Sequence, residues 1–575
     1  MVAELNANGE PIDVRGCDST LLQPVFDALP VSGEVPVCKG VIASHLHGGG
    51  VFNLTKSAVG DRLPVMVDGP LILDFSQVAG IDLHAASVRG RLSLDKVRCR
   101  WLKAKEVSCD DGISGEQIEL DGELTLVEAR AKCVHLPFLV ASRCDLSLLA
   151  TSQDLGLGGA RVEKILLPVA RIGGSADLSG RAEVDSLDMP GARIGGDLDL
   201  GSRSFSRQAE LDRVEIAGQL KLPDCTFRSK ASFRGVKVKG GIQCQRTKFL
   251  ELTDFGDAEI GGAEADLEAL SAESRVDLRL TCRAVNLSRA HFRDGLDLRL
   301  GDSAVRLDGT RFDAVSLISG PQLQRASLVS LRGARLSNLA LAHIDLSNCL
   351  MEGSAELDQL KLGDGISFPR APQPVIGKYG VRGRQVIADE IEWRQREKPK
   401  STWNTLPRPA EQHPVSLQST RYAELAAAEI EELYRSLRIA REGSGNSPGA
   451  ADFYYGEMEM RRKLPWSRGW AEKVIVWLYW AVSGYGLRAS RALGALLALW
   501  ALGCFFFLQL GGFVHSPPVA EAAVFTISSG LSFLHEPPGN LSVSTAGEAA
   551  QLLLKIGTAI LLALATLALR GRVKR

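Results

Sequence analysis

Short alternations of apolar and polar residues recur along the chain at a constant interval. Leu198 and Leu200 alternate with Asp197 and Asp199, which is the two-residue periodicity of a β-strand. The related stretches start 22 positions apart, at Ile172, Ile194, Ile216, Val238 and Ile260. A fixed interval of this length is typical of a repeat protein, in which each repeat buries its apolar side chains by stacking on its neighbours.

Bulky apolar residues repeat at the same interval and predict two columns of stacked side chains. One column contains Phe205, Phe227 and Phe249, and the other contains Leu211, Phe233 and Phe255. A helical-hairpin repeat would require runs of about a dozen residues with 3.6-residue periodicity, and the stretches between the glycines contain none. The pattern therefore predicts a mostly β protein, a right-handed parallel β-helix (solenoid) with these columns inside it.

Glycine recurs two residues after each start, at Gly174, Gly196, Gly218, Gly240 and Gly262. A corner that requires positive φ selects glycine, so we interpret these positions as corners of that kind. After Ile260 the apolar residues fall one position out of register, at Ala263, Ala265 and Leu267. This slip predicts an irregular coil.

Related stretches extend the repeat in both directions, starting at Val88, Leu120, Phe292 and Leu336. The steps from 88 to 120 and from 260 to 292 are both 32 residues, which predicts inserted loops of about half a coil. Residues 21–26 are predicted to form a short capping element, because the end of a solenoid must be covered.

Short units in this region are similar to those of the bacterial pentapeptide-repeat-like family. They are Ser327-Leu328, Ala334-Arg335-Leu336 and Ile344-Asp345-Leu346-Ser347. The resemblance covers roughly residues 60 to 370 and implies a β-solenoid. Because the best period here is 22 rather than five, we expect a coil somewhat wider than a simple square.

The pattern predicts five segments. They are residues 1–60 (N-terminal cap and first coils), 61–370 (β-helix repeat domain), 371–418 (Pro-rich linker), 419–464 (juxtamembrane helical hairpin) and 465–575 (membrane domain). Apolar residues recur with helical spacing on both sides of the turn at 443–449, which indicates the hairpin. Its sequence resembles the juxtamembrane segment that joins pentapeptide repeats to a membrane tail in bacterial proteins. The candidate coupling residues are Tyr434, Arg435, Arg438, Asp452, Tyr455 and Glu457; simple packing with surface charge is the alternative.

Two apolar stretches, residues 491–514 and 549–569, are long enough to span a bilayer as helices, although Lys555 interrupts the second. Residues 470–484 are aromatic and amphipathic and predict an interfacial helix. Basic residues flank both spans, and the loop at 515–548 has no Lys or Arg. The positive-inside rule therefore predicts a multi-pass protein of the plasma membrane with the β-helix in the cytoplasm.

The loop between the spans resembles the pore module of two-span tetrameric cation channels. A short apolar helix rich in hydroxyl groups is followed by Pro537 and Pro538. No TVGYG-like filter follows it, so potassium selectivity is not predicted. The candidate pore-loop residues are Thr526, Ser528, Ser529 and Gly530; the alternative is a re-entrant or interfacial packing helix.

Composition narrows the chemistry. The net charge of -1 argues against broad capture of nucleic acid. The 11 cysteines occur singly and predict reduced core residues. His45 and His47 lie two apart without an evident third ligand, so we predict no metal, no cofactor and no catalytic residue.

The sequence predicts a non-enzymatic membrane protein that presents a cytoplasmic β-helix as a scaffold or sensor surface. The expected partners are the lipid bilayer, a second copy bound through the membrane domain, and an unknown cytoplasmic protein. One alternative is a channel-like oligomer with a degenerate pore that the β-helix regulates. The other is a membrane-associated oxidoreductase or β-helix enzyme.

Overall fold

The structure, a computed structural model, describes residues 12–19, 22–29, 31–32, 35–57, 62–322, 326–372, 383–397, 401–406, 425–465, 470–514, 517–531 and 542–573. It divides into two compact units. The first contains the chain up to Glu356 and Leu360–Ser367, and the second contains Leu357–Gln359, Phe368–Leu406 and the chain from Tyr422 onward.

The first unit is a parallel β-solenoid of about 14 turns. A regular coil contains four two-residue strands: Leu198–Asp199, Ser204–Phe205, Ala209–Glu210 and Glu215–Ile216. Each pairs in parallel with the equivalent strand of the next coil, and one residue of each is buried while its neighbour is not. The solenoid prediction is therefore confirmed, and its right-handed sense stays a prediction.

The strands follow this pattern along the whole unit. Those before residue 160 are Ile12–Asp13, Val31–Ser32, Val35–Cys38, Val41–Ile42, Val51–Asn53, Thr55–Ser57, Arg62–Pro64, Met66–Val67, Leu71–Ile72, Gly80–Asp82, Ser87–Val88, Arg91–Ser93, Arg98–Cys99, Leu102–Lys103, Ser108–Cys109, Gly112–Ser114, Glu119–Leu120, Glu123–Thr125, Arg130–Ala131, Val134–His135, Val140–Asp145, Ala150–Thr151 and Leu155–Gly156. Those from 161 to 254, besides the four above, are Arg161–Leu166, Arg171–Ile172, Ala176–Asp177, Glu183–Val184, Ser186–Asp188, Arg193–Ile194, Leu220–Lys221, Thr226–Phe227, Ala231–Ser232, Lys237–Val238, Ile242–Gln243, Lys248–Phe249 and Thr253–Asp254. The last are Glu259–Asp266, Ser271–Ala272, Val276–Asn286, His291–Phe292, Leu296–Leu300, Ala304–Arg306, Arg311–Phe312, Ser316–Ser319, Ala326–Ser330, Leu339–Ala342, Ile344–Asp345 and Lys361–Leu362.

The coil is four-sided, so the expectation of a cross-section wider than a square is wrong. Successive strands start at 198, 204, 209, 215 and 220, so the steps alternate between six and five residues. The alternation accounts for the 22-residue period, because two of the four corners each contain one extra residue. At these longer corners a residue with positive φ recurs every 11 positions, as at Ser202, Arg213 and Asp224.

The two predicted columns of side chains are present. The ring centroids of Phe205 and Phe227 lie 4.9 Å apart, and those of Phe227 and Phe249 lie 5.0 Å apart, with near-parallel planes. Phe233 and Phe255 stack at 4.7 Å in the second column. Leu211, Phe227 and Phe233 are at most 1 % exposed. The columns therefore fill the interior, as predicted.

The reason given for the repeated glycines is wrong at four of the five positions. Gly174, Gly196, Gly218 and Gly240 do not have positive φ, whereas Gly262 does, with φ of 129°. Stacked corners approach each other too closely for a side chain: a Cβ atom at Gly218 would lie 2.6 Å from the carbonyl carbon of Gly196. The constraint is close contact between coils rather than backbone conformation.

The predicted half-coil loops are also wrong. Val88 pairs with Cys109, whereas Leu120 pairs with Cys99 on another face of the solenoid. Likewise, Phe292 pairs with Ala272 and Phe312, not with Ile260. The two halves of each coil have similar sequences, so a step of one and a half coils resembles an insertion.

The slip after Ile260 is confirmed as a one-residue irregularity. Val238 pairs with Ile260, 22 residues later, but Ile242 pairs with Ala265, 23 residues later. The extra residue lies within the long strand Glu259–Asp266.

The first helix belongs to the solenoid and the others to the second unit. The helices are α1 (Gln23–Asp27), α2 (Ala388–Glu397), α3 (Ala427–Gly443), α4 (Ser447–Lys463), α5 (Trp470–Ser483), α6 (Ala489–Gln509), α7 (Val519–Leu531) and α8 (Thr545–Val573), with 3₁₀ turns at Leu357–Gln359 and Thr402–Thr405. The predicted helices α3, α4 and α5 are present. Two helices, α6 and α8, are long and apolar enough to cross a membrane.

Helix α2 corrects the interpretation of residues 371–418 as an extended linker. The helix carries five charged residues and lacks an apolar stripe, so its pattern resembles a solvated segment. Charged contacts inside the second unit, described below, stabilise it instead. Pro407, Pro409 and Pro414, which prompted the prediction, lie outside the described residues.

The first prediction concerns the phenylalanine column. Phe227→Asp places an unpaired carboxylate between two stacked rings, which should cost several kcal/mol and unfold the middle of the solenoid. Circular dichroism during thermal unfolding measures this loss. Phe227→Leu is the control, since it keeps the site apolar and should lower the melting temperature less. An Asp variant that melts like the wild type would show that the column does not support the fold.

Candidate functional site

A buried carboxylate organises the second unit. Glu390 of α2 is 0 % exposed, and its carboxylate accepts hydrogen bonds from Arg384 at 2.6 Å and from Arg394 at 2.6 Å. Arg394 lies one helical turn after Glu390, so this second pair belongs to α2 itself. Three charged side chains are thus held together in a largely dry environment, where each depends on the others.

Tyr434 of α3 joins this group and ties α2 to the hairpin. Its hydroxyl donates to the carboxylate of Glu390 and accepts from the backbone N–H of Ile387 at 3.1 Å. Tyr434 is 0 % exposed. Burial raises the pKa of Tyr434, and the neighbouring carboxylate raises it further, so the phenol remains protonated and can donate.

The chain of contacts continues from α2 to α4. Arg394 lies 3.6 Å from the carboxylate of Glu459, which also pairs with Arg462 at 2.9 Å. The hydroxyl of Tyr485 donates to Glu459 at 3.3 Å. We call these seven residues the juxtamembrane network: Arg384, Glu390, Arg394, Tyr434, Glu459, Arg462 and Tyr485. The network runs without a break from α2 to the turn between α5 and α6.

The turn that receives the network has an unusual backbone. Gly484, Tyr485 and Gly486 all have positive φ, and Tyr485 is 1 % exposed. Left-handed backbone costs energy for a residue with a side chain, so Tyr485 needs support from its surroundings. Its ring packs edge-to-face on Tyr455 at 5.2 Å. The aromatic contact and the bond to Glu459 supply that support.

All six predicted coupling residues lie in or beside the hairpin interface. Glu457 of α4 accepts from Arg435 at 3.3 Å and from Arg438 at 3.0 Å, which joins α3 to α4. Asp452 accepts from the backbone N–H of Gln385 at 3.1 Å. Tyr455 contacts Tyr485 as described. Tyr434 belongs to the network itself. The structure brings these residues together, while their role in coupling stays a prediction.

Five members of the network were missed by the sequence interpretation: Arg384, Glu390, Arg394, Glu459 and Arg462, together with Tyr485 at its end. The spacing of Glu390 and Arg394 was a usable signal, because acid and base four residues apart stabilise a helix. Nothing in the sequence indicates that this pair is buried, since burial of a charge depends on partners from distant segments.

Opposing effects act on the pKa of the central carboxylate. Burial alone would raise the pKa of Glu390, but the guanidinium groups of Arg384 and Arg394 outweigh it, and the pKa is lowered. A carboxyl group with a lowered pKa stabilises the folded state above its ordinary pKa and loses that contribution only as the pH falls through the lowered value. The network therefore stays charged throughout the neutral range.

The candidate pore-loop residues lie on α7, and three of them face other helices of the same chain. Thr526 is 0 % exposed and donates to the carbonyl of Ala522 at 2.7 Å. The hydroxyl of Ser529 accepts from Gln551 of α8 at 3.4 Å. A Cβ atom at Gly530 would lie 2.8 Å from the hydroxyl of Thr558. Ser528 is half-buried and donates to the carbonyl of Phe525.

This arrangement makes three of the four residues part of the packing between α6, α7 and α8. Trp500 of α6 also donates to Thr558 of α8 at 3.2 Å, within the same polar contact. Leu534, Pro537 and Pro538, where a filter would be expected, lie outside the described residues. A pore-lining role for these residues stays a prediction.

In the described ranges, no cluster of three or more His, Cys, Asp or Glu side chains has the geometry to hold a metal ion. His45 stacks on the ring of Phe75 at 5.1 Å. Ten cysteines lie in the solenoid, and eight of these are buried.

The second prediction tests the centre of the network. Glu390→Gln removes the charge that Arg384 and Arg394 share and leaves two buried cations without it, which should destabilise the second unit by about 3–5 kcal/mol. Hydrogen exchange of the α2 and α3 amides measures the effect. Glu442→Gln is the control, because its pair with Arg438 is exposed and should contribute less than about 1 kcal/mol. Equal exchange in both variants would contradict the buried pairing.

Comparison with known proteins adds no relative to this description. No family model, no curated protein and no solved structure matches the chain. The pentapeptide-repeat and channel resemblances therefore stay predictions, and what the structure itself establishes is a β-solenoid followed by a helical region with two apolar candidate spans.

Proposed function

We propose that this protein is a non-enzymatic integral membrane protein that presents a cytoplasmic β-solenoid as a scaffold or sensor surface. The juxtamembrane network carries the proposal. It supports a role in which the helical unit fixes the position of the segments that enter the bilayer, so that a change at one end reaches the other.

A charged network suits this role better than an apolar contact. Buried ion pairs contribute little net stability, since desolvation offsets their attraction, but removing one partner is costly. Their geometry is therefore strongly specified. Arg394 is the connecting residue, because it pairs with Glu390 on one side and Glu459 on the other. A displacement of α2 would separate one of these pairs and alter the support of Tyr485.

The membrane part of the proposal relies on α6 and α8 and on the distribution of basic residues. Both helices expose large apolar side chains along their length, including Leu497, Leu502, Leu553 and Leu567, which are 59–70 % exposed. Lipid is the solvent that suits such surfaces. The flanking basic residues favour a cytoplasmic position for both chain ends.

The third prediction tests transmission along the network. Tyr434→Phe removes the phenol bond to Glu390 at the end remote from the bilayer. If the network couples its two ends, amide exchange of residues 483–488 should increase several-fold in protein reconstituted into lipid. Mass-spectrometric hydrogen exchange of the peptides that cover α2 and this turn measures both ends at once.

The control for transmission is Glu472→Gln. Glu472 pairs with Arg461 in an exposed contact outside the network, so its loss should leave residues 483–488 unchanged. If Tyr434→Phe alters exchange only near α2, the network is a local packing device and the coupling role fails. Protease added to sealed vesicles of known orientation tests the location: cleavage of the solenoid from the outer side would contradict a cytoplasmic position.

A channel-like oligomer is the second candidate, and the order of the helices favours it. Helix α7 is 13 residues long, apolar, and packed against both α6 and α8, as a pore helix is placed between two spans. Against this, the hydroxyls of Thr526 and Ser529 are 0 % exposed within one chain.

The fourth prediction separates the two candidates. Purified protein in liposomes should give no flux above empty liposomes for potassium, sodium or chloride if it is a scaffold. Flux that depends on protein concentration and is abolished by Gly530→Val, with the variant still inserted, would favour the channel and overturn the scaffold proposal.

A further inference from the structure

One face of the solenoid contains a groove of about 590 Å³ with a cationic rim. Its floor consists of small residues at successive coils: Gly173, Gly195 and Ala217. Its charged rim residues are Arg171, Arg193, Glu215, Lys237 and Lys239. We call this feature the basic groove. The four cations and one carboxylate give its rim a net charge of +3, in a protein whose overall charge is -1.

The strand register places like charges side by side in the basic groove. Arg171 pairs with Arg193 in adjacent coils, and Lys237 follows two coils later. Like charges directly opposite each other on a sheet are destabilising. Elsewhere on the solenoid, cations lie beside acids of the adjacent coil, as Arg246 does with Asp224 at 2.6 Å.

Within the described chain, three of the four rim cations have no ion pair. Arg193 pairs with Glu215 at 3.3 Å, but Arg171, Lys237 and Lys239 lie within 4.0 Å of no carboxylate that the structure describes. Glu259 follows Lys237 in the register. Uncompensated cations around one concavity indicate that their counter-charge comes from a bound partner.

The floor restricts how a partner can be recognised. Its backbone N–H groups are already used between coils, with Gly195 donating to Ile172 at 2.8 Å and Ala217 donating to Ile194 at 2.9 Å. An anion in the groove therefore meets long cationic side chains rather than backbone donors. The small floor residues leave room for the main chain of an extended segment to lie between those side chains.

The spacing of the cations matches an extended peptide. Arg171 and Lys237 are three coils apart, and coils are separated by about 4.8 Å, so their Cα atoms are about 14 Å apart. An extended strand rises about 3.4 Å per residue, so acidic residues at positions i and i+4 are separated by about the same distance.

We propose that the basic groove binds an extended acidic peptide segment of a cytoplasmic partner protein, with acids on alternate residues facing Arg171, Lys237 and Lys239. The inference names the partner class for the scaffold surface and so rests on the proposed function. A single phosphate would engage one coil only and leave the other cations unpaired.

The test uses full-length protein in nanodiscs of zwitterionic lipid. A fluorescein-labelled heptapeptide with glutamate at its second, fourth and sixth positions is titrated with protein, and anisotropy reports binding. The same peptide with glutamines should not bind. In Arg171→Glu/Lys237→Glu protein, affinity should fall at least about tenfold, because like charges would then oppose the peptide.

A matched control carries the same change in charge on another face. Arg161 and Lys164 are exposed on the strand Arg161–Leu166, so Arg161→Glu/Lys164→Glu should bind the peptide like the wild type. Circular dichroism verifies that both variants are folded. Equal loss in both, no binding to the wild type, or complete displacement by inorganic phosphate but not by chloride of equal ionic strength would each overturn the proposal. None of these results alters the exchange measurements that test coupling along the juxtamembrane network.

Discussion

Contact between successive coils is the constraint on which the solenoid depends. Backbone N–H and C=O groups pair from coil to coil, and no coil can bury its apolar residues without its neighbours. This requirement explains the stacked phenylalanines and also the glycines at the short corners, where one corner lies directly against the next. A substitution at either kind of position therefore acts on at least two coils.

The same constraint determines how polar groups enter the core. Arg203 is 1 % exposed, and its guanidinium donates to the carbonyls of Leu178 at 2.7 Å and Ser179 at 3.1 Å. Burial lowers the pKa of Arg203. In the next coil, Cys225 points its thiol at the carbonyl of Leu200. Core positions after the longer corners thus accept polar side chains when these reach a carbonyl of the preceding coil.

The second unit is organised on a different principle. It is held by buried charges that connect three segments distant in sequence, whereas the solenoid is held by repeated apolar contacts. Ion pairs of this kind specify geometry more than they add stability. That property suits a segment which joins a folded domain to helices that enter a bilayer, and it makes the network, rather than the solenoid interior, the place where a signal would be transmitted.

The sequence by itself determined the repeat, its 22-residue interval, the phenylalanine columns, the hairpin and the two apolar helices, because each is a periodic pattern of apolar residues. It misled where two halves of a coil resemble each other, and it gave the wrong reason for Gly218, since close approach between coils is invisible in one repeat. Tertiary structure alone decided that Glu390 is buried and that Arg171 lies beside Arg193. Both depend on which residues become neighbours across the fold, and charge has no periodicity along this chain from which those neighbours could be read.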